Sequence, residues 1–277
     1  MSAPITLPPV LERYELKYMI PLEYVEPITD FISLYCSLDY HSETAKADNY
    51  FYSVNSLYFD TPRYEFLKQR IAGQAHRVNM RARTYGDGSK PPYFLEIKQR
   101  MGIPGVVRKY RATVADEEWP SLLTDPNFRI ADTDSAKERA NKELFLRLAI
   151  SNAIEPKILT KYQRRAFFST VDEYVRVTMD ANMQYRKQDD YNLASTHGMT
   201  NYDNETVYAV NTASDANVVL EIKCNIGEVP QWVLSLVNLF ELKQQAFSKY
   251  ATSTLVSHVD NGDWFMSSDR KSRHSFS

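Results

Sequence analysis

The chain of 277 residues has only two cysteines, Cys36 and Cys224, and neither has a CxxC partner. That scarcity excludes a disulfide or zinc framework and suits a reducing compartment. Neither sign of charge is in excess. The formal net charge is -2, so no global field draws the chain to nucleic acid or to an anionic membrane. A polyanion could bind only where positive charge is concentrated locally.

Other absences narrow the reading further. No apolar run reaches the roughly 18 residues that a membrane-spanning helix needs. The opening "MSAPITLPPV" lacks a basic n-region and an apolar core, which speaks against a signal peptide. "GDGSK" at 86–90 lacks the G-x-x-x-x-G-K-[ST] spacing of a phosphate loop and runs into two prolines, so it reads as a hairpin turn. The five histidines, His41, His76, His197, His258 and His274, are scattered and are expected at the surface, none as a catalytic base. There is no linker, low-complexity tract or repeat period. The expectation is a soluble, cytoplasmic protein with one domain over residues 12–260, a flexible lead at 1–11 and a flexible tail at 261–277.

What the sequence does have is alternation. "YFLEIKQR" at 93–100 has a near twin in "VVLEIKCN" at 218–225. Side chains in a strand alternate faces, so Glu96 and Lys98 share one face while Leu95 and Ile97 share the other. Glu221 and Lys223 are set the same way against Leu220 and Ile222. The pattern recurs in strands over 12–18 (Arg13, Glu15, Lys17), 78–85 (Arg81, Arg83), 106–114 (Lys109, Arg111), 161–168 and 174–180 (Arg176, Thr178, Asp180). A strand is also expected in "YFYSVNSLYFD", ending at Asp60, with Asp60 or Thr61 capping a following helix and Pro62 in its first turn. Helices are predicted over 21–38, kinked or begun at Pro27, over 135–152 with Leu144, Phe145 and Leu148 as the apolar stripe, over 231–243, and over 248–259. Residues 187–216 read as a long polar loop.

Two explanations fit these faces. An antiparallel sheet commonly keeps one face wet. Exposed faces, however, usually mix Ser, Thr, Gln, Glu and Lys, whereas these are dense in Arg and Lys. Turned inward, such a face must be hydrated or hold a counter-charge, because unpaired burial costs on the order of several kcal/mol per ion. The carboxylates Glu15, Glu96, Asp180 and Glu221 would share that interior. They either form salt bridges across it, or hold a divalent metal that bridges to phosphate oxygens while lysines such as Lys98 and Lys223 grip the phosphate. The first expectation is therefore an α+β protein: a closed eight-stranded antiparallel barrel with a charged interior and helices on the outside.

In this order the motifs resemble a known family. Glu15-x-Lys17, "SLYFDT", "MRAR", "LEIK", a basic strand, "YQRRAF", "RVTMD", the second "LEIK" and "FSKY" look like the VTC, or polyphosphate polymerase, domain of the triphosphate tunnel metalloenzymes. The resemblance runs from Glu12 to Thr254. It implies transfer of the ATP γ-phosphate to a growing polyphosphate chain with Mn²⁺ or Mg²⁺, and so ATP and polyphosphate as partners. By motif, Lys17, Arg81, Arg83, Lys98, Lys109, Arg164, Arg176 and Lys249 would line the tunnel, and Tyr58 and Ser248 would add hydrogen bonds. Arg111 and Lys223 join them through the face they share with Lys109 and Glu221. Glu221 would be the leading metal ligand, with Glu96 and Asp180 as further candidates. The sequence departs from the family pattern at Ala246, where vacuolar members carry a basic residue. A triphosphatase of the same tunnel, passing the phosphoryl group to water, and a binding module without turnover are the rival readings.

Overall fold

Alternation of branched or aromatic residues with charged ones favours strands. The computed structural model describes residues 13–88, 90–102, 106–202, 217–225, 227 and 229–260. Its strands are β1 Arg13–Ile20, β2 Cys36–Leu38, β3 Tyr52–Asp60, β4 Arg77–Tyr85, β5 Tyr93–Met101, β6 Val106–Val114, β7 Glu155–Ser169, β8 Val175–Lys187, β9 Thr200–Asn201 and β10 Val218–Asn225. The helices are α1 Val25–Ile32, α2 Tyr40–Thr44, α3 Glu65–Ile71, α4 Ser121–Thr124, α5 Ala136–Asn152, α6 Gln231–Leu239 and α7 Lys249–Asp260. The expected lead and tail, and residues 203–216 of the expected polar loop, lie outside the described residues.

The main ladder is antiparallel throughout, in the order β1-β10-β8-β7-β3-β4-β5-β6, with β2 added on β7 and β9 on β8. The eight expected strands are therefore present. Backbone pairing does not close them into a barrel, because among the described residues β1 and β6 remain the two ends. The free side of β1 is met by another segment: the Gln245 amide donates to the Lys17 carbonyl at 2.9 Å, and Gln244 bridges to Tyr18. The sheet nevertheless curls. Register shifts in β7 against both β3 and β8 bend it, the second beside Asn182 at φ 50, a left-handed conformation that Asn tolerates.

The apolar side of the sheet carries the core. Val25, Ile28 and Ile32 of α1 and Trp232, Val233 and Leu236 of α6 pack on Ile20, Val177, Met179, Leu220 and Ile222. Phe145 and Ala149 of α5 pack on Leu57, Phe59, Met80, Leu95 and Ile97. Each such fully buried large side chain contributes roughly 1.5–3 kcal/mol relative to exposure. The third buried position on α5 is Lys142, which pairs with Glu118 at 2.8 Å and Asp134 at 2.7 Å, while Leu144 and Leu148 are only half-buried.

Three local expectations are corrected. The predicted helix over 21–38 stops at Ile32, and Cys36–Leu38 pairs with Phe167–Ser169 as a strand; Pro27 sits in the first turn of α1, where its missing N–H costs nothing. Asp60 and Thr61 both cap the next helix, the Asp60 carboxylate accepting from the amides of Phe66 and Leu67 at 2.9 Å and the Thr61 hydroxyl from that of Glu65 at 3.0 Å, but α3 begins at Glu65, so Pro62 lies before it and not in its first turn. His258 is buried in α7 against the Tyr64 ring, not at the surface.

A charged face and its candidate anion site

Strand register places the charged residues on one side. Lys17 pairs with Glu221, which pairs with Thr178; Arg164 pairs with Asp180 and with Tyr52. On the other half, Tyr58 pairs with Arg81, Arg81 with Glu96, and Glu96 with Arg111, while Lys98 pairs with Lys109. Glu15, Lys223, Arg83 and Arg176 fall on this same face by alternation. Ser248 and Lys249 join them where α7 starts, and Tyr250, Ala251 and Val256 of α7 cover Tyr58, Ile158 and Tyr185 on that side. The two halves of the sheet also meet: Lys98 of β5 donates to Glu15 of β1 at 2.9 Å. Side chains from strands so far apart along the ladder touch only if the sheet curls toward its charged face.

Each carboxylate is held by cations. Asp180 takes Arg164 in a two-pronged contact at 2.6 and 2.8 Å and also binds Lys249. Glu96 accepts from Arg81 at 2.7 Å, with Arg83 at 3.7 Å and Arg111 at 3.8 Å. Glu221 pairs with Lys223 and, at 3.2 Å, with Lys17, whose ammonium also lies 3.6 Å from Glu15. Burial pushes all four acids up, and the surrounding cations outweigh it. Burial and the charge of Glu221 raise Glu15, yet Lys98, Lys17 and Lys223 hold it at about 2. Burial opposes ionisation of Glu221, but Lys223 and Lys17 keep its carboxyl well below the usual range. Arg81 and Arg83 do the same for Glu96, and Arg164 and Lys249 for Asp180. In the Tyr58 phenol, burial raises the pKa and the charges of Arg81, Arg83 and Lys249 bring it below its ordinary value.

The remaining expected residues are placed as follows. Arg81 donates to the Tyr58 hydroxyl at 3.0 Å. Ser248 accepts from the Ala251 amide at 3.3 Å and so caps α7. Arg176 lies at one end of the face, 3.4 Å from Asp39 and over the Phe168 ring. Lys109 and Arg111 lie on the end strand β6, where Arg111 stacks 3.8 Å from the Phe94 ring centre. Ala246 lines a cavity of about 610 Å³ together with Glu15, Lys17 and Lys98. Sequence reasoning missed Asp39 as a partner of Arg176; its signal was an Asp before a short helix, and it does cap α2 through the Ser42 amide at 2.8 Å. The neighbouring arginine of "YQRRAF", Arg165, faces the other way, buried against Glu26 at 2.9 Å.

Among the described residues no three acidic, His or Cys side chains converge as a ready metal cage. All four carboxylates are paired with cations, and the kind of cation is what distinguishes them. Glu96 and Asp180 are each held by an arginine, whereas the ion pairs of Glu15 and Glu221 are with lysines. Glu15 and Glu221 are ionised neighbours that share one lysine between them, and two carboxylates with phosphate oxygens and water fit Mg²⁺ or Mn²⁺. The Thr178 hydroxyl, directly across from Glu221, is buried and has no hydrogen-bond partner among the described residues. A polar ligand at that point would satisfy it.

The geometry defines a curled antiparallel sheet whose charged face gathers cations around a few ionised carboxylates. The chain belongs to the VTC-domain family, whose model matches residues 12–258. Among curated proteins none matches it. Solved structures similar to it include a candidate adenylate cyclase of Bacillus halodurans (13% identity, TM-score 0.45, covering 84% of this chain and 92% of that one). The PH1819 protein of Pyrococcus horikoshii is 10% identical with a TM-score of 0.42, over 89% of this chain and 98% of that one. The capping-enzyme triphosphatase of Mimivirus is 10% identical with a TM-score of 0.32, over 83% and 89%. No helix among the described residues is long and apolar enough to cross a membrane.

Proposed function

We propose that this chain binds the triphosphate of ATP on its charged face and transfers the γ-phosphate to a growing polyphosphate chain. The observation that supports this best is the convergence of Arg81, Arg83, Lys98, Lys17, Arg164 and Lys249 on one face of a sheet that curls until Lys98 meets Glu15. The net charge of the whole chain is -2, so this positive density is local, as a polyanion site requires. In this reading the curled sheet acts as a tunnel, its open side bridged by the Lys98–Glu15 contact, with residues 244–245 added along β1, and not by a β1–β6 ladder.

Phosphoryl transfer needs positioning and charge neutralisation more than a protein nucleophile. Arg81, Arg83 and Arg164 offer paired N–H groups that match phosphate oxygens, and Lys17, Lys98, Lys223 and Lys249 act as point charges. Lys109, Arg111 and Arg176 extend this array to the rims, while the Tyr58 and Ser248 hydroxyls donate to phosphate oxygens. The attacking atom is a terminal phosphate oxygen of the acceptor, already anionic, so no base is needed. A new P–O bond forms to the γ-phosphorus, the bond to the β-phosphate oxygen breaks, and ADP leaves with that electron pair. A divalent cation, held by Glu221 with Glu15, would neutralise charge shared between the β- and γ-phosphates. Glu96 and Asp180 then serve to hold the arginines in place.

Incubation with ATP and Mn²⁺ tests this directly. Long-chain polyphosphate with one ADP per phosphate added is the expected product. ADP and free phosphate without polymer would instead identify a triphosphatase, and tight binding without turnover a sensor.

A further inference from the structure

The cationic rows do not stop at Lys98. One step further along the same face, Arg77 of β4 stands directly opposite Arg100 of β5, and a third arginine, Arg70, reaches them from the last turn of α3. Like charges set directly across two strands destabilise a sheet. The three side chains are half-buried, and no carboxylate of the described residues lies within ion-pair distance of them. They line the cavity of about 610 Å³ that also contains Lys98, Lys17 and Glu15. The carboxylates that neutralise the inner cations are thus missing at this end.

We propose that Arg70, Arg77 and Arg100 form a second anion subsite, which holds the phosphates of a linear polyphosphate beyond those seated at Lys17 and Lys98. The inference rests on reading the charged face as a triphosphate site, and adds where the chain extends from it and which residues favour a long chain over a short one. Continuity supports a single linear ligand, because one cavity joins the arginines to the inner lysines. Mutual repulsion accompanies this geometry: burial and then the charge of Arg77 make Arg70 easier to deprotonate than an ordinary arginine, with only partial relief from Tyr58 and Glu15, and burial and Arg100 do the same to Arg77. The same three groups in a structural role would carry an acid partner, as Arg165 carries Glu26 on the opposite face.

The test is calorimetric binding at fixed ionic strength of tripolyphosphate, medium-chain linear polyphosphate and a single-stranded RNA of matched charge, to the wild type and to Arg77→Gln, Arg100→Gln and Arg70→Gln. Each substitution is expected to weaken the medium chain about tenfold, and tripolyphosphate by no more than about twofold. In thermal melts without ligand, Arg100→Gln should be at least as stable as wild type, since it removes repulsion. Parallel losses for both phosphates, or no loss for either, would overturn the subsite and leave the inner site standing. RNA binding with the same arginine dependence and affinity would replace polyphosphate by nucleic acid. A wild type that binds neither phosphate would refute the reading of the charged face itself. Because Arg70 is on a helix, its variant keeps the test independent of any strand defect.

Discussion

Replacing Asp180 by Asn would separate the folding role of the carboxylates from the binding role proposed for the cations. The Asp180 side chain is 1% exposed, that of Arg164 12% and that of Lys249 13%, so all three charges are largely out of water. Asn keeps the size but withdraws the charge, leaving a guanidinium and an ammonium side by side without a counter-ion. Removing one partner of a buried pair costs about 3–5 kcal/mol. For a domain of this size that lowers Tm by about 10 °C. In the proposed site, Arg164 and Lys249 are the groups a phosphate would otherwise take from Asp180. The variant should therefore bind tripolyphosphate more tightly; a tenfold gain is about 1.4 kcal/mol. At equal ligand concentration the stabilisation by tripolyphosphate should exceed that of wild type by the same amount. Urea denaturation with and without tripolyphosphate measures both quantities. A loss below about 1 kcal/mol would contradict the buried pairing, and equal ligand stabilisation of the two proteins would refute counter-ion exchange.

Further outcomes follow from the same geometry. Glu221→Gln should abolish metal-dependent turnover while triphosphate binding without metal persists, measured by product formation and calorimetry in parallel; undiminished turnover would take Glu221 out of the metal role. Arg81→Ala with Arg83→Ala should weaken triphosphate binding by about 100-fold or more, since paired charge-assisted contacts are lost; an unchanged affinity would place these arginines outside the site. Acid should destabilise the fold in a defined window. Glu15 is depressed from 4.5 to about 2 by its lysines, after burial has acted against them, so its contribution is present above pH 4.5 and is lost as pH falls toward 2. That contribution is about 3 kcal/mol, and Glu15→Gln should abolish this part of the pH dependence in urea melts. A loss that begins well above pH 5 would assign the acid sensitivity to other groups.

Period-two alternation made most of this legible. Leu95 and Ile97 are in the core while Glu96 and Lys98 face the charged side, and the same holds for the β10 twin. In "YQRRAF" alternation separates Arg164, on the charged face, from Arg165, a structural arginine locked by Glu26. Other features depended on contacts distant in sequence. Helical spacing over 21–38 gave no hint that Cys36–Leu38 would pair with β7, because a buried apolar triplet reads alike in both states. Asp60 looked like an ordinary cap, but its second oxygen accepts the Tyr250 hydroxyl at 2.6 Å and so ties α7 across the charged face. The Arg77–Arg100 pairing needs the β4–β5 register, which a turn of unknown geometry leaves free by a residue or two.

The paired acids and bases of the twin strands have a physical reason that holds whatever the ligand. A sheet face with this density of lysine and arginine would repel itself if it curled without compensation, and curling is what brings β5 to β1. Glu15, Glu96, Asp180 and Glu221 supply that compensation from within, each set diagonally or directly across from a cation, so the face can form before any anion arrives. They are too few to neutralise it. What is left over, concentrated in the arginines beyond Lys98 that no described carboxylate pairs, would drive the proposed binding. The two kinds of residue should therefore respond with opposite signs: removing Asp180 lowers stability and raises affinity, whereas removing Arg100 lowers affinity and spares stability. A fold whose acids and bases merely decorated a wet surface would show neither effect, since exposed pairs contribute roughly 0–1 kcal/mol and are screened by salt.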